Sequence, residues 1–327
     1  MTVWIAQSCA CASNPQRTRA YRAYGVSLRS DELLPELEAT DDLSAPQFSF
    51  RISSEPPPAL LTPIRYADSD DPDNEIHCFR CDGGYLLHFI GLAHFFISAD
   101  GARIVAYEPL PAPGMLRHLL LDTVLPRALN VAGRDALHAT AVLTPRGVVG
   151  FIGESGAGKS TLAARFVAEG HALVSDDCLV LDVAGSDVIA TPSYSGLRLL
   201  PDALAWMGTS VVSSVPVTEN AAKHRVTASH TGGDKGGPVA ALYVLDANAK
   251  GTACDAPIAT KLSQRDAFNE LLTCSFRLDV DDRAMIKRQF ELFTSMAERV
   301  PMYRLSIPRS LDAVTDAYHL VRNALGF

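Results

Sequence analysis

The spacing of hydrophobic and polar positions changes at about residue 113. Before that point, short alternating stretches typical of β-strands are separated by turn signals such as Asp82-Gly83-Gly84. After it, apolar runs typical of buried strands alternate with stretches of helical spacing. We therefore predict a polar, mobile lead at residues 1–22, a β-rich N-terminal subdomain at residues 23–113 and an α/β domain at residues 114–327.

The individual elements follow from the same pattern. In the N-terminal subdomain, strands are predicted at residues 48–52, 76–81, 85–90 and 102–107, and the proline-rich, acidic stretch 53–74 is predicted to be a loop. Residues 115–131 have helical spacing, with Pro126 expected to bend or divide the helix. Further helices are predicted at 267–273, 281–299 and 311–325, strands at 238–244 and 302–307, and a glycine-rich loop at 227–237.

A second glycine-rich sequence joins a predicted strand to a predicted helix. The strand covers residues 148–152, and the helix runs from Thr161 until Gly170 stops it. Between them the chain fits the pattern G-x-x-x-x-G-K-[S/T] with the residues Gly153, Glu154, Ser155, Gly156, Ala157, Gly158, Lys159 and Ser160. Because this pattern requires a strand before it and a helix after it, the context predicts that the loop binds a nucleoside triphosphate.

The residue types in this loop match that chemistry. Its glycines allow positive φ and bring successive backbone N–H groups toward a phosphate chain, which the positive end of the following helix also attracts. Lys159 is predicted to reach the β and γ phosphates, and the Ser160 hydroxyl is predicted to ligate Mg²⁺. Thr161 supplies a second hydroxyl nearby.

Composition narrows the class of protein. The chain has 327 residues, a net charge of −8 and a pI near 5.6, and it has no basic stripe, so nucleic-acid binding is not expected. No apolar run approaches the ~18 to 20 residues of a membrane span, and the N-terminus does not have the pattern of a secretory signal. Seven irregularly spaced cysteines are typical of reduced thiols, so we predict a cytoplasmic protein.

Two cysteine pairs raise the alternative of a zinc site. Cys78 and Cys81 form a C-x-x-C pair that, together with Cys9 and Cys11, supplies enough thiols for one zinc ion. However, Cys78 and Cys81 lie in a predicted strand, where residues three apart face opposite sides. A lone C-x-x-C is also a weak signal, so we favour plain strand cysteines over a metal site.

A pair of carboxylates follows the glycine-rich loop and its helix. A short predicted strand at residues 172–175 ends in Asp176 and Asp177, and Asp176 is 17 residues beyond Lys159. A strand end beside a phosphate-binding loop is where phosphoryl-transfer enzymes need a carboxylate for Mg²⁺ or for the nucleophile. The chain contains neither the Leu-Ser-Gly-Gly signature of transporter-type ATPases nor the Asn-Lys-x-Asp motif of small GTPases.

Residues 138–177 resemble the catalytic domain of HPr kinase/phosphorylase, a bacterial serine kinase. The similar features are His138 in a strand, a turn, the glycine-rich loop, its helix and the sequence Gly170-His171-Ala172-Leu173-Val174-Ser175-Asp176-Asp177, in the same order and at the same intervals. The resemblance implies an α/β P-loop kinase core of the HPr-kinase type, with a mixed sheet and flanking helices, behind the β-rich N-terminal subdomain.

The resemblance also implies roles for three residues. Asp177 would be the general base that takes the proton from an acceptor serine hydroxyl. Asp176 would help Ser160 to hold Mg²⁺, and His138 would lie near the transferring phosphoryl group. The alternatives are a turn cap for the aspartates and a structural role for the histidine.

The chain also departs from that family. A family segment Glu-x-Arg-Gly is replaced by residues 192–199, where Arg198 is expected to supply positive charge to the phosphates unless it is a surface arginine. Lys223 and Arg225 are expected to contact phosphate or substrate, with a solvated loop as the alternative. These features resemble more closely the HPr-kinase-like proteins of peptide-modification clusters, such as lasso-peptide precursor kinases.

The predicted function is Mg-ATP-dependent transfer of the γ-phosphoryl group to a serine of a small protein or ribosomal precursor peptide. ATP and Mg²⁺ are the predicted cofactors, and the peptide or small protein is the predicted partner. The alternatives are HPr(Ser) kinase/phosphorylase itself, an NTP-dependent switch or binding protein, and a small-molecule kinase. The acceptor, the nucleotide preference and homo-oligomer formation stay open.

Overall fold

A computed structural model describes most of the chain. The described residues are 18–42, 46–64, 76–194, 196–207, 211–219, 221–228, 235–246 and 255–327. Cys9, Cys11 and most of the predicted glycine-rich loop at 227–237 lie outside these ranges.

Within the described residues, the N-terminal part forms a nine-stranded sheet. Its strands are β1 (Arg19–Ala23), β2 (Val26–Ser30), β3 (Glu38–Thr40), β4 (Phe48–Ser53), β5 (Leu60–Ile64), β6 (Ile76–Cys81), β7 (Gly84–Phe89), β8 (Ala93–Ser98) and β9 (Arg103–Tyr107). The strand order is β3-β1-β2-β4-β9-β8-β7-β6-β5. The pairs β2–β4 and β4–β9 are parallel, and the others are antiparallel.

Two predictions for this part need correction. Strand β1 begins inside the lead that was predicted to be mobile, because Tyr21 is buried in the core beneath the sheet. Strand β5 lies inside the stretch 53–74 that was predicted to be a loop. Pro63 is tolerated in β5 because the strand lies at the sheet edge, where a missing N–H removes no central ladder bond.

Strand β6 carries the two cysteines. Cys78 is buried in the large N-terminal core, whereas Cys81 belongs to a small apolar cluster with Leu86, Phe96, Val105 and Tyr107. These clusters lie on opposite faces of the sheet, as the period of two in a strand requires. Cys78 and Cys81 therefore do not share a site.

The helical stretch predicted at 115–131 is divided in the structure. It consists of helix α1 (Pro113–Leu119), a π-helical turn (Leu120–Val124) and helix α2 (Leu125–Val131). In the π geometry the N–H of Leu125 bonds to the carbonyl of Leu120. The next carbonyl, that of Leu121, would pair with Pro126, which has no N–H. Instead it accepts a bond from the Tyr24 hydroxyl (3.1 Å), so the N-terminal sheet completes the turn.

A second, mixed sheet forms the centre of the C-terminal part. Its strands are β10 (Ala136–Leu137), β11 (Ala139–Thr144), β12 (Gly147–Ile152), β13 (Ala172–Ser175), β14 (Leu179–Ala184), β15 (Asp187–Thr191), β19 (Gly237–Leu245), β20 (Ile258–Lys261) and β21 (Met302–Ser306). The main order is β10-β14-β15-β19-β12-β11-β13, with β21 paired to β19 and β20. Strand β12 lies inside the sheet between β11 and β19 and is parallel to β19.

The other elements surround this sheet. Strands β16 (Leu197–Leu199), β17 (Val211–Pro216) and β18 (His224–Ala228) form a three-stranded sheet of order β16-β18-β17. The helices are α3 (Lys159–Ala168), α4 (Pro201–Met207), α5 (Gln264–Thr273), α6 (Arg283–Arg299) and α7 (Leu311–Leu325). Among the helices of the described ranges, none combines the length and apolar character that crossing a bilayer requires.

Capping side chains set two helix starts that hydrophobic spacing placed a few residues away. Helix α5 starts at Gln264, ahead of the predicted residue 267, because the Ser263 hydroxyl accepts from the N–H of Asp266. Helix α6 starts at Arg283 and not at residue 281, because the Asp282 carboxylate accepts from two N–H groups of the first turn.

One hydrophobic core spans both predicted domains. It contains the inner face of the nine-stranded sheet, α1, α2 and the π turn, and it continues to Cys178, Tyr194 and Phe276 of the C-terminal part. Arg80 of β6 adds two bonds to the buried Asp279, at 2.8 and 2.7 Å. Residue 113 therefore marks a change of architecture and not a gap between independent cores.

Candidate functional site

The glycine-rich loop, residues 153–160, connects the inner strand β12 to helix α3. Gly153, Gly156 and Gly158 have φ values of 137°, 80° and 97°, which disfavour residues with a side chain. A Cβ on Gly153 would also lie 2.6 Å from the carbonyl oxygen of Leu245. No side chain caps the first turn of α3, so its N–H groups are available to an anion.

The loop exposes its middle and buries its lysine. Glu154, Ser155 and Gly156 are exposed, and Ala157, Ser160 and Thr161 are half-buried. Lys159 is only 5% exposed, and its Nζ donates to the carbonyl oxygens of Gly153 (2.7 Å) and Glu154 (3.0 Å). Burial lowers the pKa of Lys159 while Asp177 opposes this effect. The Lys159 side chain thus folds back and binds the backbone at the start of its own loop.

Asp176 lies at the end of β13 and touches this loop directly. Its Oδ1 accepts bonds from the hydroxyls of Thr140 and Ser160, both at 2.8 Å. Its Oδ2 accepts from the backbone N–H of Arg198 at 2.7 Å. Burial raises the pKa of Asp176, and the neighbouring Asp177 raises it further. The structure therefore brings together Ser160 and Asp176, which were the two predicted Mg²⁺ ligands.

Asp177 follows in a left-handed backbone conformation, with φ of 73°. Such a φ is uncommon outside glycine and points its side chain differently from that of Asp176. Asp177 forms an ion pair with the Arg198 guanidinium, and its Oδ1 lies 3.7 Å from Nε2 of His138. Burial alone would raise the pKa of Asp177, but Arg198, His138 and the two lysines 159 and 223 lower it to about 2. The carboxylate is therefore ionised at neutral pH, and its side chain keeps 26% exposure.

His138 occupies the short break between β10 and β11. Its backbone N–H donates to the carbonyl of Cys274 (2.6 Å), and its ring lies edge-on to Phe276 with centroids 5.9 Å apart. Burial lowers the pKa of His138 to about 4, although Asp177 opposes this shift. The imidazole is thus neutral at pH 7, and 35% of the side chain is exposed beside Asp177.

Arg198 holds this cluster together from strand β16. Its side chain is 5% exposed, and its guanidinium pairs with Asp122 (2.7 Å), with Asp177 and, at 3.7 Å, with Asp176. The sequence predicted that Arg198 would supply charge to phosphates or lie at the surface. In the structure it is buried and its donors face carboxylates, so its contacts join Asp122 to the acidic pair.

Two residues of the site carry no motif in the sequence. Asp122, on the π turn, accepts bonds from Arg198 and from the hydroxyl of Tyr194. The one available signal was an acidic residue inside the apolar stretch 119–125. Asp122 is 72 residues from Tyr194 along the chain, so local spacing could not relate them.

The structure separates the two basic residues near 224. Arg225 is buried, pairs with Glu36 of the N-terminal part (3.1 Å) and lies over the Tyr194 ring at 5.4 Å from its centroid. It therefore links the two parts of the chain, and its predicted contact with phosphate or substrate stays a prediction. Lys223 is exposed, and its charge lowers the pKa values of Asp177, His138 and Lys159.

The side chains of Ser160 and Asp176 have the chemistry to hold a magnesium ion. Ser160 and Asp176 offer a hydroxyl and a carboxylate, the hard oxygen donors that Mg²⁺ prefers, and their side chains already meet at 2.8 Å. In the part of the chain that the structure describes, no group of three or more His, Cys, Asp or Glu side chains forms a complete metal site. Mg²⁺ commonly takes one or two carboxylates and completes its shell with phosphate and water.

The lowered pKa of His138 has a consequence for stability. The full stability is present above the ordinary pKa of 6.5 and is lost as the pH falls through about 4, because protonation is less favourable in the folded chain. Between pH 7 and pH 5 we expect His138→Gln to lose less stability than wild type, by about 1 kcal/mol after allowing for solvent screening at this partly exposed ring. Urea unfolding at both pH values measures the difference. His319 is exposed, so His319→Gln is the control. If the stability of His138→Gln and of wild type depended equally on pH, the pKa of His138 would not be lowered in the folded chain.

Comparison with known proteins adds little to this geometry. No protein-family model matches the chain, and no curated protein sequence matches it. Among solved structures, the chain is similar to the HPr(Ser) kinase/phosphatase from Coxiella burnetii at 16% sequence identity. That match covers 58% of this chain and 89% of the other, with a TM-score of 0.32, which carries no argument about function. Fold and site define a mixed α/β protein with a strand, glycine-rich loop and helix beside paired carboxylates.

Proposed function

We propose that this protein is a Mg-ATP-dependent kinase that transfers the γ-phosphoryl group to a serine hydroxyl of a small protein or a ribosomal precursor peptide. One observation carries the proposal. Asp176 is bonded to Ser160 of the glycine-rich loop, while the adjacent Asp177 turns away from it, stays ionised and keeps solvent access. Two neighbouring carboxylates are thus available for two different tasks.

The chain's own residues divide these tasks. The N–H groups at the start of α3 and the glycine-rich loop would bind the phosphates, and Lys159 would exchange its carbonyl partners for phosphate oxygens. Asp177 would accept the proton of the incoming serine hydroxyl, since positioning and charge neutralisation supply most of the rate in phosphoryl transfer. His138, neutral and 3.7 Å from Asp177, would border the same space.

The low pKa of Asp177 is compatible with this role. Arg198, Lys159 and Lys223 are among the causes that lower it. A bound triphosphate brings negative charge to the two lysines, which weakens their effect and raises the proton affinity of Asp177. When bound, Mg²⁺ would be held by Ser160 and Asp176 and would neutralise charge on the phosphates. The base would therefore become effective when ATP is in place.

The test is phosphoryl transfer from γ-labelled Mg-ATP to defined acceptors. The purified protein is incubated with HPr and, separately, with serine-containing peptides encoded next to its gene, and the products are analysed by mass spectrometry. We expect phosphoserine on a peptide or small protein. Modification of HPr alone would identify the HPr-kinase alternative. Release of inorganic phosphate with no labelled acceptor, together with nucleotide-dependent partner binding, would overturn the kinase proposal in favour of a switch.

A further inference from the structure

Asp122 is connected to Asp177 through one buried side chain, that of Arg198. Its side chain is 6% exposed and lies on the π turn, away from the glycine-rich loop. It binds Nη1 of Arg198 at 2.7 Å, and the same guanidinium binds Asp177 through Nη2. Asp122 and Asp177 therefore bind the two different amino groups of the planar Arg198 guanidinium.

Two other side chains fix Asp122 itself. The Tyr194 hydroxyl donates to Oδ1, and Nδ1 of His118 lies 2.6 Å from Oδ2. Tyr194 in turn packs edge-on against Tyr24, with ring centroids 6.1 Å apart. Because Tyr24 completes the π turn through the Leu121 carbonyl, the N-terminal sheet helps to set the position of Asp122.

We propose that Asp122 is a positioning residue for Asp177, acting through Arg198; this inference rests on the proposed kinase function. A guanidinium held at one end only can rotate about its side-chain bonds, whereas one held at both ends has a fixed plane. Nε and Nη2 of Arg198 face Asp176 and Asp177, and Asp122 supplies the anchor on Nη1 at the opposite end. The direction of the Asp177 carboxylate toward an incoming hydroxyl then depends on a residue that touches neither nucleotide nor acceptor.

The test compares the leucine and asparagine variants of Asp122 with the same two variants of Asp135. Asp122→Leu removes both acceptors, whereas Asp122→Asn keeps one oxygen that accepts from Arg198 and places an amide N–H toward the Tyr194 hydroxyl, which must then turn and accept. Asp135 is the control because it is also buried and paired with an arginine, at 2.8 Å from Nε of Arg288, but it has no contact with Arg198 or Asp177. Each variant is assayed for hydrolysis of Mg-ATP with water as acceptor, and its unfolding is followed in urea.

We expect Asp122→Leu to lower kcat at least about tenfold, because a small misplacement of a reacting group has large kinetic effects, with KM for ATP within about threefold of wild type. Asp122→Asn should keep kcat within about threefold, since its amide oxygen still accepts from Nη1 of Arg198. Asp135→Leu and Asp135→Asn should lose stability and leave kcat at the wild-type value. A wild-type kcat in Asp122→Leu, or an equal fall in kcat at Asp135, would overturn the proposal.

A second measurement does not depend on turnover. The guanidinium signals of Arg198 in nitrogen-correlated NMR spectra, assigned through Arg198→Lys, report whether its rotation is hindered. We expect separate, slowly exchanging signals in wild type and loss of that separation in Asp122→Leu or, if that variant does not fold, in Asp122→Ala. Unchanged signals would overturn the proposal. Wild-type protein that neither binds nor hydrolyses Mg-ATP would instead refute the proposed function, and this is recognised before any variant is made.

Discussion

Asp177→Asn is expected to keep Mg-ATP binding and to lose phosphoryl transfer by about 10²- to 10⁴-fold in kcat. The amide cannot accept a proton from the serine hydroxyl, whereas it can still occupy the left-handed backbone position, which asparagine tolerates well. The fold and the phosphate contacts are therefore preserved. Isothermal titration calorimetry with ATP in the presence of Mg²⁺, and single-turnover transfer to the acceptor, measure the two effects separately.

An exposed aspartate outside the site supplies the control for this result. Asp187 is exposed on strand β15, and Asp187→Asn is expected to match wild type in both binding and turnover. If Asp177→Asn transferred phosphate at the wild-type rate, Asp177 would not be the base. If it lost ATP binding as well, the carboxylate would have a structural role in the site.

Lys159→Met is expected to give the second large effect, a fall in ATP affinity of about 10- to 100-fold. The ammonium group would make charge-assisted bonds to phosphate oxygens, each worth about 1.5–3 kcal/mol, and the methionine side chain cannot replace them. The substitution also frees the carbonyls of Gly153 and Glu154 from their present donor. Calorimetric titration of ATP gives the change in Kd.

Lys287, on helix α6, provides a matched substitution outside the loop. Its side chain is 77% exposed on α6 and lies 3.8 Å from Glu291. Lys287→Met should leave the Kd for ATP unchanged. An unchanged Kd in Lys159→Met would mean that the glycine-rich loop does not bind the nucleotide, because this lysine is the buried cation inside the loop.

Elements that depend on neighbouring residues could be predicted from the sequence, whereas elements that depend on tertiary position could not. The strand at 148–152, the glycine-rich loop and its helix were predictable because apolar spacing, positive-φ glycines and a helix stop all lie within about twenty neighbouring residues. The predicted helix at 311–325 coincides with α7, and the predicted strand at 238–244 lies within β19. Strand β5 escaped prediction because prolines are poor strand formers except at a sheet edge, and edge position is a tertiary property.

The sequence by itself determined the glycine-rich loop, the acidic pair beyond it and the division into a β-rich and an α/β part, because each depends on residues close together in the chain. Only the tertiary structure decided that Arg198 faces carboxylates, that Arg225 reaches Glu36 and that Asp122 and Tyr194 join the site. Those contacts join residues far apart in the chain. Their partners are selected by burial, since a buried charge must find an opposite charge wherever the fold brings one within reach.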